Sequence, residues 1–470
     1  MKGLLFFLRV TLFGLFALYF TIMFNNAFLS ITVVSISFLF YFFLDLLLIK
    51  ITSCTLLARY FFLLGFTLLC FFAFTDYAVS ISKGSADEPF LVGDATGKFG
   101  YHSLALGVAN SETWNEMLNV AYITNQVGYP LILGLIYKYV YCDLITAFFL
   151  SFFTGLFIIY LTGLTFSKLN QSKKGFAYTI LFAAISPQIL SCGIYILKDV
   201  YIILAVLILV ISIEYLKSNK LIKSITLFGL GFGIVMLFRS QLLLFVILLL
   251  LVNIKVLKGK LIYLSIALAF FLVYFLGSGI EFKYFSLDVG YFTNLIVENG
   301  VGNEWTDSGG GVTDFLGKAT LSMPLPLRLL CIPLTMSIQY FLPFNIWKFD
   351  HPYPFYYVFI NLNVIWWFVI GPYVIYSLIK LKKHATQSNK NTFLLGFIMF
   401  AVMAFIYAGV VPRYFYPFMP LLIMSAGSLI GEMSLDFALM KHFKVFQKKY
   451  FTSLIIAVLF YVIISLVVTI

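Results

Sequence analysis

Thirteen long apolar runs occupy most of the chain, and this feature restricts it to a membrane-embedded helical fold. Most runs approach the roughly 20 residues that cross a hydrocarbon core of about 30 Å. The 470 residues are 62% hydrophobic and 11% charged, against about 45–50% and 25% in soluble domains. We therefore predict an all-α, polytopic helical bundle. The predicted spans are 4–24, 27–49, 60–82, 144–165, 175–190, 194–216, 222–238, 240–254, 261–279, 355–379, 392–410, 414–431 and 452–470.

The charges between the apolar runs are sorted by sign. If the N-terminus lies in the cytoplasm and the spans alternate, 21 of the 31 lysine and arginine residues fall on the cytoplasmic side. The opposite side receives 15 of the 19 acids. Because lysine and arginine collect on the cytoplasmic side of membrane proteins, this pattern predicts the orientation. The net charge of +12 then indicates contact with anionic lipid headgroups rather than with nucleic acid.

Two long segments, 83–143 and 280–354, leave the membrane on the outer side. Each contains an apolar stretch too short to span, at Leu131–Tyr141 and at Leu329–Leu342. If either stretch spanned, the later basic loops would move to the outer side. We therefore predict that both lie in the interface or re-enter the membrane. Connections of this length are usually functional when they are ordered, which favours a site on the outer face.

Asp94 is the first candidate for chemistry. It lies in the polar stretch from Gly93 to His102 that follows the third span. A carboxylate close to a low-dielectric lipid phase gains basicity, which suits a general base. An ordinary loop or helix-capping acid is the alternative. Tyr101 and His102, at the end of the same stretch, are candidate substrate-binding residues.

Lys198 and Asp199 form a charged pair at the outer end of the sixth predicted span. A charge within a membrane costs about 2.5–3.5 kcal/mol at the bilayer centre and less near its edge. Such residues generally face the interior of the bundle or water, so we predict that both bind substrate. The alternative is a lysine that extends to the interface beside a solvated acid.

Three arginines lie on the predicted outer face, although basic residues usually collect on the cytoplasmic side. Their presence there needs another explanation. They are Arg239, Arg328 and Arg413. A guanidinium group matches the geometry of a phosphate, and each charge-assisted hydrogen bond contributes roughly 1.5–3 kcal/mol. Converging arginines would neutralise a polyprenyl phosphate or diphosphate. The alternative is that each arginine pairs with a nearby acid.

The chain carries no recognisable signature of a cofactor. It has neither a glycine-rich nucleotide-binding loop nor a Walker-type motif, and its five cysteines show no paired spacing. No cofactor is therefore predicted, although the scattered acids leave a divalent metal open. Any energy for a reaction must arrive in the substrate or from a gradient.

Four stretches in a fixed order carry a family resemblance. They are the acid-to-tyrosine segment 94–101, the Gly-Tyr-Pro-Leu helix 128–141, the Ser-Pro to Lys-Asp segment 186–199, and the Arg-Tyr-Pro-Pro segment 413–420. Together they resemble the GT-C class of integral-membrane glycosyltransferases, which includes protein O-mannosyltransferases and the aminoarabinose transferase of lipid A. The resemblance implies a polyprenyl-phosphate sugar donor and Asp94 as the catalytic base. The acid pair that is usual in this family is absent at Asp94.

The resemblance also predicts how the chain is divided. Residues 1–59 would be two additional N-terminal helices, 60–432 the catalytic core, and 433–470 a basic cytoplasmic loop with the last helix. The predicted function is sugar transfer from a lipid-linked donor to a glycan or lipid acceptor, on the outer face of a bacterial inner membrane. Two alternatives remain open. One is an O-antigen or capsule repeat-unit polymerase, and the other is a transporter or flippase of lipid-linked sugar.

Overall fold

The computed structural model describes residues 2–24, 27–82, 100–122, 127–239, 242–257, 354–384, 387–407 and 416–469. Within them every regular element is a helix, as the sequence predicts. The helices are α1 (Lys2–Phe24), α2 (Ala27–Ile49), α3 (Leu56–Ser82), α4 (Tyr101–Asn110), α5 (Trp114–Ala121), α6 (Gly128–Tyr139), α7 (Leu144–Leu169), α8 (Lys173–Ala184), α9 (Pro187–Ile194), α10 (Asp199–Lys217), α11 (Leu221–Arg239), α12 (Leu243–Leu257), α13 (Pro354–His384), α14 (Gln387–Tyr407), α15 (Met419–Met433) and α16 (Phe437–Thr469).

Six helices in the described residues are long and apolar enough to cross a membrane, and the bent pair α8–α9 makes a seventh. The chain is therefore a multi-pass membrane protein, but the predicted count of thirteen spans is not confirmed. The predicted span 261–279 lies outside the described residues. The six candidate spans in the described residues are Gly3–Met23, Ala27–Ile49, Leu56–Asp76, Leu144–Leu169, Asp199–Lys217 and Leu221–Arg239.

The predicted span 175–190 is wrong as a continuous helix. The helix breaks between α8 and α9, and the axes of the two pieces differ by 52°. Pro187 causes the break, because it has no N–H to donate and its ring disfavours a helical residue before it. Ser186 caps the new start by accepting a hydrogen bond from the backbone N–H of Ile189. The next span likewise begins at Asp199 rather than at 194, since residues 195–198 are not helical.

Glycine residues allow several of these helices to approach closely. A Cβ atom on Gly155 of α7 would lie 2.7 Å from the Cα of Gly193 in α9. A Cβ on Gly175 of α8 would lie 2.7 Å from the carbonyl oxygen of Gly427 in α15. Membrane helices associate through such small residues because lipid removes most of the hydrophobic driving force between them. The glycines therefore bring α9 against α7 and α8 against α15.

One end of the bundle carries most of the lysines of the described chain, among them Lys168, Lys173 and Lys217, and we call it the Lys-rich end. Asp45 near the end of α2 is only 2% exposed and binds Arg9 of α1 at 2.8 Å and Arg59 of α3 at 2.6 Å. The hydroxyl of Ser53, between α2 and α3, donates to the carbonyl of Gln171, between α7 and α8. The α2–α3 and α7–α8 connections therefore both lie at this end. We call the opposite end of the bundle the far end.

Three short helices, α4 to α6, form a compact unit before α7. The predicted interfacial helix corresponds to α6, which is not among the candidate spans. The His102 ring hydrogen-bonds the Tyr137 hydroxyl at 2.8 Å, joining α4 to α6. Lys138 donates to the backbone carbonyl of Ser111 at 2.5 Å and so joins α6 to the segment before α5. This unit lies against the far end, because Gly128 at the start of α6 contacts the end of α11.

Candidate functional site

The α9–α10 junction, residues 195–198, is the centre of the candidate site. Its backbone leaves the helical conformation at Tyr195, with φ −89° and ψ 153°, and resumes helix at Asp199. All four residues are nevertheless buried. Non-helical backbone at membrane depth is tolerated only where protein covers it or water reaches it. The junction therefore gathers polar groups from the surrounding helices.

Asp199 and Arg239 meet at this site. The first turn of α10 contains Asp199, and Arg239 is the last residue of α11. One guanidinium nitrogen lies 3.4 Å from Asp199 Oδ1, and the two side chains are 1% and 4% exposed. Asp199 Oδ2 has no hydrogen-bond partner among the described residues. The pair is thus joined by one long contact rather than by two parallel hydrogen bonds. The second carboxylate oxygen, Oδ2, is therefore available to a ligand.

Lys198 adds a positive charge beside this pair. It stands immediately before the first residue of α10, where the helix dipole already places partial positive charge. The side chain is only 7% exposed, and its ammonium lies 5.7 Å from the centre of the Tyr101 ring. A buried cation at a helix N-terminus contradicts the usual preference for an acid there. Such a local conflict is expected at a functional site rather than at a structural one.

Aromatic rings line the site next to Lys198. Tyr101 packs edge-on against Tyr129, with ring centres 5.0 Å apart. Tyr129 in turn contacts Tyr201 and Phe238 from α10 and α11. Burial raises the pKa of Tyr129, so its hydroxyl stays protonated at neutral pH. The site therefore combines two cations with an apolar, hydroxyl-bearing wall, an arrangement suited to a phosphate attached to a lipid.

Asp76 belongs to the same region and was not singled out from the sequence. It is fully buried, and its Oδ1 accepts a hydrogen bond of 2.8 Å from the Tyr195 hydroxyl. Oδ2 has no hydrogen-bond partner among the described residues. The sequence contains a usable signal, because Asp76 is an acid inside the predicted span 60–82, where charge is rare.

A second polar chain crosses the break between α8 and α9. The hydroxyl of Ser186 donates to Gln188 Oε1 at 2.6 Å, and the Gln188 amide donates to the side-chain oxygen of Asn363 in α13. All three residues are buried. These hydrogen bonds satisfy side chains that the broken helix places inside the bundle. The break therefore places a small hydrogen-bonded polar group inside the bundle.

The structure brings together four of the residues predicted to form the site: Tyr101, Lys198, Asp199 and Arg239. His102 instead faces Tyr137 and joins α4 to α6. The predicted base Asp94 and the predicted phosphate ligands Arg328 and Arg413 lie outside the described residues.

No cluster of three or more histidine, cysteine or acidic side chains within the described ranges could hold a metal ion. Comparison with known proteins found no family model, no curated protein and no solved structure that matches this chain. The resemblance to membrane glycosyltransferases therefore stays a prediction from the sequence.

Proposed function

We propose that this protein is a membrane glycosyltransferase that moves a sugar from a polyprenyl-phosphate donor to a cell-surface glycan or lipid acceptor. The reaction would take place at the far end, which the charge pattern predicts to face outward, and the family resemblance implies a bacterial inner membrane. Asp94 would deprotonate the acceptor hydroxyl as it attacks the anomeric carbon. The bond from that carbon to the phosphate oxygen would break, and the polyprenyl phosphate would leave as an anion.

The observation that carries this proposal is the buried Lys198 at the N-terminus of α10. A helix N-terminus binds phosphate through its unpaired N–H groups and its dipole, and a neighbouring ammonium strengthens that binding. The span that follows, Asp199–Lys217, begins at this point. A phosphate bound there would lie at the membrane boundary, where the headgroup of a lipid-linked donor is found.

Arg239 supports the same role, although Asp199 already contacts it. The separation of 3.4 Å makes this a long ion pair. A phosphate oxygen placed between Arg239 and Lys198 would form charge-assisted hydrogen bonds in a site of low dielectric, where they are strong. The leaving phosphate carries more charge in the transition state than in the donor, so these cations would stabilise the transition state preferentially.

The direct test uses purified protein, a prenyl-phosphate donor with a radiolabelled sugar, and extracted cell-surface glycan as the acceptor. We expect Asp94→Ala to abolish transfer while the protein stays folded. Lys198→Ala should reduce transfer by about 100-fold, the effect of one lost transition-state contact. Lys223→Ala is the matched control, because this lysine is exposed at the Lys-rich end. Undiminished transfer by Asp94→Ala would refute the base assignment.

A transporter or flippase of lipid-linked sugar is the second candidate, and one observation favours it. The broken helix α8–α9 carries the buried side chains of Ser186 and Gln188, and transporters often bind their substrates at broken helices. Gel analysis of the surface polysaccharide after gene deletion separates the candidates. Loss of one sugar from an otherwise full ladder supports transfer, and a single-unit band indicates a repeat-unit polymerase. Unchanged glycan together with transport of labelled substrate would support the transporter.

A further inference from the structure

Asp76 is a buried acid for which the proposed reaction has no role. Its carboxylate is fully buried in α3, six residues before the end of that helix, with one hydrogen bond, from Tyr195, and none at Oδ2 within the described residues. None of the ion pairs found in the described part of the chain involves it. A carboxylate in this state is costly to bury, and such groups inside membrane helices generally mark a ligand site.

The position of Asp76 relates it to the phosphate site. Tyr195, which holds Oδ1, lies three residues before Lys198, so their Cα atoms are at most roughly 11 Å apart. Asp76 lies six residues before the end of α3 (Leu56–Ser82), and Asp199 is the first residue of α10. The hydrogen bond from Tyr195 places the Asp76 carboxylate beside the α9–α10 junction, on the same short backbone segment as Lys198.

We propose that Asp76 binds the sugar of the lipid-linked donor, with Oδ2 accepting a hydrogen bond from a sugar hydroxyl while Tyr195 holds Oδ1. This inference rests on the proposed function and adds to it the group that recognises the sugar. Arg239 and Lys198 hold the phosphate, whereas Asp76 distinguishes a donor that carries sugar from the bare polyprenyl phosphate. Since the side chain is covered, donor binding must shift neighbouring groups.

The test compares two ligands in detergent titrations of the full-length protein. One is a set of short-chain prenyl phosphates that each carry a single hexose, and the other is the same prenyl phosphate without sugar. We expect the unchanged protein to bind at least one hexosyl lipid more tightly than the bare lipid. Asp76→Ala should weaken binding of that hexosyl lipid by about 10-fold or more and leave bare-lipid binding unchanged.

Three further variants separate recognition from structural damage. Asp76→Asn preserves size and one acceptor oxygen, so it should fold and lose less sugar selectivity than Asp76→Ala. Tyr195→Phe removes the group that orients the carboxylate and should cause an intermediate loss. Thr75→Ala alters the adjacent residue, whose hydroxyl bonds the Phe71 carbonyl, and should bind both ligands normally.

The outcomes distinguish failure of this inference from failure of the proposed function. If the unchanged protein prefers a hexosyl lipid and the Asp76 variants keep that preference, the inference is overturned. Equal weakening of both ligands would also overturn it, because the carboxylate would then be structural. If the unchanged protein prefers no hexosyl lipid over the bare one, the proposed function fails, and the inference fails with it.

Discussion

Two acids at the far end differ in how their charge is balanced. Asp199 faces the guanidinium of Arg239, whereas Asp76 has only the Tyr195 hydroxyl among the described residues. Asp199 also lies in the first turn of α10, where the helix dipole stabilises an anion. Asp199 is therefore explained by structure alone, and Asp76 is not. A substitution at Asp199 therefore tests the stability of the fold, whereas a substitution at Asp76 tests ligand recognition.

Replacing Asp199 by alanine should destabilise the fold strongly. The substitution leaves Arg239 buried without its carboxylate, and breaking a buried ion pair in this way costs about 3–5 kcal/mol. We expect a clear fall in the thermal unfolding midpoint in detergent. The matched control is Asp143→Ala, which removes an exposed cap of α7 and should cost about 1 kcal/mol. Equal shifts in the two variants would contradict this prediction, because breaking the buried pair would then cost no more than losing an exposed helix cap.

At the scale of helices, contacts between small residues determine which helices can cross closely. Glycine residues 155 and 193 bring α7 and α9 together so tightly that a single added methyl group has no room. Gly14 in α1, by contrast, has no neighbouring atom within 4 Å of an added Cβ. Gly155 and Gly14 therefore form a matched pair. Replacement by alanine changes helix propensity equally at both positions, and only the packing around them differs.

Gly155→Ala should destabilise the protein, while Gly14→Ala should not. Alanine favours a helix over glycine by roughly 0.8–1 kcal/mol at both sites, but overpacking at Gly155 costs about 1–3 kcal/mol. We expect a lower thermal midpoint only for Gly155→Ala, together with faster proteolysis near α9. An unchanged midpoint for Gly155→Ala would contradict the close contact between α7 and α9.

The sequence predicts helices well here and breaks in helices poorly. The spans of α2, α7 and α11 follow directly from apolar length, because in lipid a helix satisfies its own backbone hydrogen bonds. The family resemblance includes a Ser-Pro turn at Ser186, but the predicted span 175–190 runs through it, because the apolar run continues through Pro187. The sequence also predicts a basic loop before the span 452–470, whereas the structure has a helix from Phe437 onward. Lysines interrupt an apolar pattern without interrupting a helix.

For the candidate site, the sequence identified charged residues but not their partners. Lys198, Asp199 and Arg239 stand out because charge is rare in apolar runs. Their assembly with Tyr101 depends on the angle at which α4 to α6 meet the bundle, and no local pattern encodes that angle. Asp76 can be identified as a site residue only through its hydrogen bond with Tyr195. The two residues are 119 positions apart in the chain, so no local pattern links them.

At the scale of the whole molecule, the sorting of charge predicts which end faces outward. Cys142 is exposed, and it directly precedes α7 at the far end. The turn between α10 and α11 lies at the Lys-rich end, and Ser218 is exposed there. Asn219 adopts a left-handed conformation, with φ 59°, that closes this turn. These two points lie on opposite sides of the predicted membrane.

Labelling of cysteines in intact cells should reveal the orientation. In a Cys331→Ser background, a membrane-impermeant maleimide should modify Cys142 from outside, whereas Ser218→Cys should react only after permeabilisation. Cys54 is a poor reporter, because burial raises the pKa of its thiol to about 11 and little thiolate is present at neutral pH. The reverse labelling pattern would invert the predicted orientation and move the proposed reaction to the cytoplasmic face.

The contacts of Asp45 with Arg9 and Arg59 have a consequence for synthesis of the chain. Asp45 follows Arg9 by 36 residues, and Arg59 follows Asp45 by a further 14. At roughly 5–20 residues per second, Arg9 leaves the ribosome about 2–7 s before its counter-charge. During that interval the first helix carries an unneutralised guanidinium that lipid does not readily accept. We therefore expect α1 to stay at the translocon until α2 arrives, so that the first two helices enter the bilayer together.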